Sequence, residues 1–196
     1  MSRRLIPALA LAVGMLGVSS SSSARHTHDH TEESPAALAH MTASPRLTPN
    51  QIAIDVHGVV CSICAYGLEK RLSKLPFIDR SHFKNGVQTN IDEHLVTLAI
   101  DPAKPVDLRA IHRAITDGGY KPVTMYLHLA GTLTRDGDTA RLQTSTGNAF
   151  ELRGPEAESL QAGPEVQVTA RLDASRIPGL TEGAPVPVDV LRPESP

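Results

Sequence analysis

The chain reads as an α+β protein, a βαββαβ unit over residues 50–129 followed by a small all-β barrel over residues 130–196. Three observations predict this. Between Gln51 and Leu129, apolar residues alternate with period two or recur at helical spacing, in the order strand, helix, strand, strand, helix, strand. After Leu129 the helical spacing nearly disappears and turn residues recur every few positions. The only two cysteines, Cys61 and Cys64, sit at the first strand-to-helix junction.

Composition bounds the rest. The 196 residues allow one domain or two small ones, and 40% of them are hydrophobic, enough for a packed core. There is no Trp and only 3% aromatic residues, so that core is aliphatic. A formal charge of -2 leaves no basic footprint for nucleic acid. Two cysteines are too few for a disulfide scaffold.

The amino terminus has the grammar of a signal peptide over residues 1–24. Arg3 and Arg4 precede an apolar run from Leu5 to Val18, and Ser22 and Ala24 supply small residues before a cut. A transmembrane helix needs ~20 apolar residues, more than this run has. Export to the periplasm or outside the cell is therefore expected, with no stable membrane span after signal removal. Residues 25–49 read as a flexible linker interrupted by Pro35, Pro45 and Pro49. Within it His26, His28 and His30 offer imidazoles that suit Cu, Ni or Zn, and binding there stays open.

The βαββαβ unit follows element by element. Ile52, Ile54 and Val56 alternate with Ala53, Asp55 and His57, which predicts a half-buried strand. Ile63, Leu68, Leu72 and Leu75 are taken as the inward face of a helix that Pro76 stops. Residues 77–86 are polar and read as a loop. Val87, Thr89 and Ile91, then Leu95 to Ile100, form a hairpin around Asp92-Glu93-His94. Asp107 opens a second helix to Thr116, with Leu108, Ile111 and Ile115 inward, and Gly118-Gly119 end it. The strand after Pro122 runs through Val123 to Leu133 without a linker.

Beyond residue 130, five short strands are expected with a short helical piece, Glu156 to Leu160, between the third and the fourth. That arrangement is OB-like, a partly open five-stranded barrel. Its core is expected to close around Leu142, Phe150, Leu152, Val166, Val168 and Val188. This part holds no cysteine and no histidine, so it offers poor chemistry for a soft ion.

The chemistry concentrates on Cys61 and Cys64. Cys61 lies in the loop leaving the first strand and Cys64 in the first helical turn, where backbone N–H groups and the helix dipole favour thiolate. Two thiolates from one short loop suit Cu(I) or Hg(II), which accept low coordination numbers. A closed structural zinc site wants four ligands, and no second cysteine pair exists.

Residues 51–129 resemble the heavy-metal-associated domain family, which includes copper chaperones and the exported mercuric-ion-binding protein. The family motif, Gly-Met-x-Cys-x-x-Cys after the first strand, is matched by Gly58-Val59-Val60-Cys61-Ser62-Ile63-Cys64, and Gly119-Tyr120 matches the Gly-Tyr pair after the second helix. Val59 stands where the family has a buried supporting Met. The resemblance implies a ferredoxin-like fold, metal ligation by Cys61 and Cys64, and Tyr120 packed near the loop.

The expected function is therefore an exported soft-metal carrier or scavenger for Cu(I) or Hg(II), with Zn(II) as a further candidate. A membrane metal transporter or another exported protein is the expected partner, and no catalytic residue is assigned. Two rivals use the same cysteines: a thiol–disulfide redox protein, and an interaction module with one local disulfide. The redox reading lacks an aromatic residue before the first cysteine, where Val60 stands. No Ser-His-Asp order, phosphate loop or paired carboxylates support an enzyme.

Overall fold

The computed structural model describes residues 44–194, and they form an α+β chain. The signal peptide read over residues 1–24 and the His26-His28-His30 stretch lie outside the described residues. The described residues all fall within one contact unit. Among the described residues, no helix is long and apolar enough to cross a membrane.

The first elements are β1 (Gln51–His57), α1 (Ser62–Leu72), β2 (Val87–Asn90), β3 (Leu95–Ala99), α2 (Leu108–Thr116) and β4 (Lys121–Asp136). β1 lies between β3 and β4, antiparallel to both, and β2 flanks β3. Successive strand residues face opposite sides of a sheet. On β1 this puts Ile52, Ile54 and Val56 into one buried cluster with Leu68 and Leu72 of α1 and Ile111 and Ile115 of α2. α2 begins as its sequence suggests, with the Asp107 carboxylate accepting from the Ala110 N–H at 2.9 Å.

Two local expectations are corrected. Ile63 is not part of the inward face of α1, because it is 81% exposed and Ala65, Leu68 and Leu72 are buried instead. At about 100° per residue, a two-residue offset from Ala65 puts Ile63 on the far side of the helix. Residues 77–86 are likewise more than a polar loop. Phe77 and Ile78 are buried, and Ile78 forms a bridge to Ile100 beside β3. The mostly polar run that follows, Arg80, Ser81, His82 and Lys84 around an exposed Phe83, masks these two anchors in the sequence.

The remaining elements are β5 (Thr139–Gln143), β6 (Ala149–Arg153), α3 (Pro155–Ser159), β7 (Gly163–Asp173), a 3-10 helix (Ala174–Gly179) and β8 (Val186–Glu194). β4, at 16 residues, joins the two halves of the fold. Along one edge it pairs first with β1, as in Ile52↔Leu127, and then with β5, from Thr132↔Gln143 to Asp136↔Thr139. Along its other edge it pairs with β7 from Thr124↔Asp173 to Leu133↔Gly163. With β5–β6, parallel β6–β8 and β7–β8, this closes a five-stranded ring in the order β4-β5-β6-β8-β7.

The ring buries Leu142, Phe150, Leu152, Val168 and Val188. Val166 is only half-buried against that core. Gly131 sits where β4 passes from β1 to β5. A Cβ there would drive into the carbonyl group of Gln143, so this crossing requires glycine. The Asn148 side chain, in the β5–β6 turn, both accepts from the Val106 N–H and donates to the Val106 carbonyl, each at 2.9 Å. It ties the ring to the segment leading into α2.

Candidate metal centre

The centre is built at the end of β1. Gly58 takes φ 97°, a left-handed conformation that favours glycine, and turns the chain out of the strand. Val59 is 2% exposed and anchors the loop in the core. Cys61 then adopts extended backbone geometry as the N-cap of α1, and its Sγ accepts from the Cys64 N–H at 3.2 Å. The Cys61 carbonyl accepts from the Ala65 N–H at 2.9 Å, closing the first helical turn. One loop residue and one first-turn residue thus bring both thiols to a single corner, where the positive end of the helix favours negative charge.

Cys61 is exposed and Cys64 half-buried, and both are free thiols. Tyr120, immediately before β4, is half-buried, and its hydroxyl donates to the Cys64 carbonyl at 3.2 Å. It braces the loop from the opposite side. Around the thiols, Val60, Ile63 and Tyr66 form an exposed apolar rim. Residues 65, 68, 72 and 75 have the helical spacing, and reading from Ala65 instead of Ile63 would have identified the rim.

The two thiols are electrostatically unlike. The hydrogen bond from the Cys64 side chain, helped by the Cys64 N–H, lowers the Cys61 pKa below the ordinary thiol value. The same thiol–thiol bond raises that of Cys64, with burial and the Cys61 charge acting the same way. Of the two thiols, Cys61 is therefore the first to lose its proton and Cys64 the last. Burial, with the neighbouring Cys64 charge, also raises the Tyr120 phenol, so it stays a donor.

Iodoacetamide at neutral pH should therefore modify Cys61 before Cys64, because the thiolate is the nucleophile. Peptide mapping by mass spectrometry reads the order, and faster modification of Cys64 would contradict it. Ion capture displaces the remaining proton, so soft-metal affinity should rise with pH until Cys64 has ionised.

Among the described residues, no group of three or more His, Cys, Asp or Glu side chains forms a metal cage. The thiols make a two-donor set, suited to ions that accept few ligands.

Residues 53–121 match the family model of the heavy-metal-associated domain. No curated protein and no solved structure matches the chain. The heavy-metal-associated segment runs from β1 to the first residue of β4 and so contains Cys61, Cys64 and Tyr120. Heavy-metal-associated domains bind soft metal ions, and the match implies heavy-metal binding by residues 53–121.

The histidines of this segment do not join the thiols in a cage. His57, at the end of β1, lies 3.6 Å from the Asp55 carboxylate. His82 is held by Asp79 at 3.0 Å in the loop before β2. His94 occupies the β2–β3 turn, and His112 lies on α2.

Proposed function

We propose that the protein is an exported soft-metal carrier or scavenger in which Cys61 and Cys64 are the metal ligands. The observation that carries this reading is the N-cap geometry, with Cys61 Sγ 3.2 Å from the Cys64 N–H at an accessible helix start. Cu(I) and Hg(II) fit a two-thiolate set better than Zn(II), which seeks four ligands. In this reading residues 50–129 are the metal module, and residues 130–196 form an OB-type barrel that orients it and contributes no ligand. The ring order, with α3 between its third and fourth strands, supports the OB-type assignment. The exposed apolar rim of Val60, Ile63 and Tyr66 supports transfer to a membrane metal transporter or another exported protein. The signal-like first 24 residues support export.

Reduced protein titrated with Hg(II) or Cu(I) against a competing chelator should take up one tightly held equivalent, and Zn(II) should be held far more weakly. The same oxidised protein should give no sustained turnover as a thiol oxidant in an insulin-reduction assay. Repeated turnover requiring both cysteines would replace the carrier reading with the redox one.

A further inference from the structure

A second cluster lies at the same end of β1, on the other face of its sheet. Val56 points into the core with the helices, so Asp55 and His57 point the opposite way. The Val56 N–H donates to the His94 carbonyl at 2.8 Å, which holds the β2–β3 turn against the end of β1. The His57 and His94 rings meet edge-to-face with centroids 6.0 Å apart. Asp55 Oδ1 stands 3.6 Å from His57 Nε2.

That separation is long for a hydrogen bond. Two donors each about 2.0–2.2 Å from one ion stand about 3.4 Å apart at a tetrahedral angle, close to the spacing found here. His94 also holds a left-handed backbone conformation. Its φ is 54°, in the left-handed region where glycine sits without strain. The Asn90 side chain fixes this turn by accepting from the Asp92 and Glu93 N–H groups. Turn chemistry alone would be served by glycine at residue 94, and an imidazole stands there instead, against a second imidazole. Asp92 and Glu93 are exposed acids of the same turn.

We propose that His57 and His94, completed by Asp55, form a second metal site that takes a borderline divalent ion such as Cu(II). Imidazole and carboxylate suit Cu(II), whereas the thiolates suit Cu(I). The three side chains do not already converge on one point. His57 and Asp55 are spaced as ligands, and the exposed His94 ring has to turn toward them.

The test uses the full chain with Cys61→Ser and Cys64→Ser, and with His26, His28, His30 and His40 each changed to Asn. These changes remove the thiolates and the imidazoles of the amino-terminal stretch. Cu(II) titration followed by electron paramagnetic resonance should show one equivalent bound with hyperfine coupling to two imidazole nitrogens. Adding His57→Asn or His94→Gly should weaken Cu(II) at least about tenfold, the smallest loss expected even for an outer-shell partner. His94→Gly should leave the melting temperature unchanged or raised, because glycine accepts that backbone. In the chain with both cysteines intact, the same two substitutions should leave Hg(II) affinity unaltered, which separates this site from the thiolate centre. Cu(II) affinity or nitrogen coupling unchanged by both substitutions would overturn the proposal, as would a background chain that binds no Cu(II).

Discussion

Replacing either Cys61 or Cys64 by serine is expected to lower Cu(I) or Hg(II) affinity by more than about a hundredfold. Losing an outer-shell partner already costs 10–100-fold at metal sites, and here the group removed is half of the thiolate set. No other cysteine in the chain can take its place. The described residues supply no third donor to compensate. Folding should be little affected, because Cys61 is exposed and Cys64 half-buried, and serine at residue 61 keeps an N-cap acceptor. Competition titration with circular dichroism as the folding control measures both. Affinity unchanged in both variants would move the soft-metal site away from these cysteines.

A chain ending at Leu129 is expected to lose several kcal/mol of stability. The cut removes β7, which pairs with β4 from Thr124 onward, and so strips one edge of the strand beside β1. It also removes the 3-10 helix that packs on α2. Leu172, Val168 and Ile177 are buried, and each contributes about 1.5–3 kcal/mol by leaving water. Against a total of about 5–15 kcal/mol for a typical protein, that loss is large. The bared β4 edge, with apolar Met125 and Leu127, should also promote self-association. Thermal unfolding should show a fall of more than about 10 °C, since 1 kcal/mol moves a small domain by about 4–8 °C. The folded fraction should keep its soft-metal affinity, because Cys61, Cys64 and Tyr120 all precede the cut. A melting temperature within about 5 °C of the full chain would show that β7 and the 3-10 helix contribute little to the metal-binding half.

Elements governed by near neighbours were legible without the structure. Ile52, Ile54 and Val56 show the β1 alternation, and Asp107 with Leu108, Ile111 and Ile115 marks the start and inner face of α2. The position of Cys61 before the helix and Cys64 in its first turn follows from three residues of local chain. Most of the ring's inward residues were also readable, because a half-buried strand writes its inner face at every second position. Ile63 was misread because a short helix start offers too few apolar residues to decide between two faces. Phe77 and Ile78 were missed because their partners, around Ala99 and Ile100, lie more than twenty residues away.

By itself, then, the sequence determined the local helices and strands and the placing of both cysteines at one strand-to-helix junction, since each depends on residue types a few positions apart. Only the tertiary structure decided that β4 passes from pairing with β1 to pairing with β5 within one continuous sheet, that β7 flanks it, and that Gly131 marks the crossing. It also decided the opposite pKa shifts of Cys61 and Cys64 and the meeting of His57 with His94. The physical reason is distance along the chain. Strand partners are chosen by packing over the whole core, and the field at an ionisable group depends on whatever folding brings within a few ångströms of it.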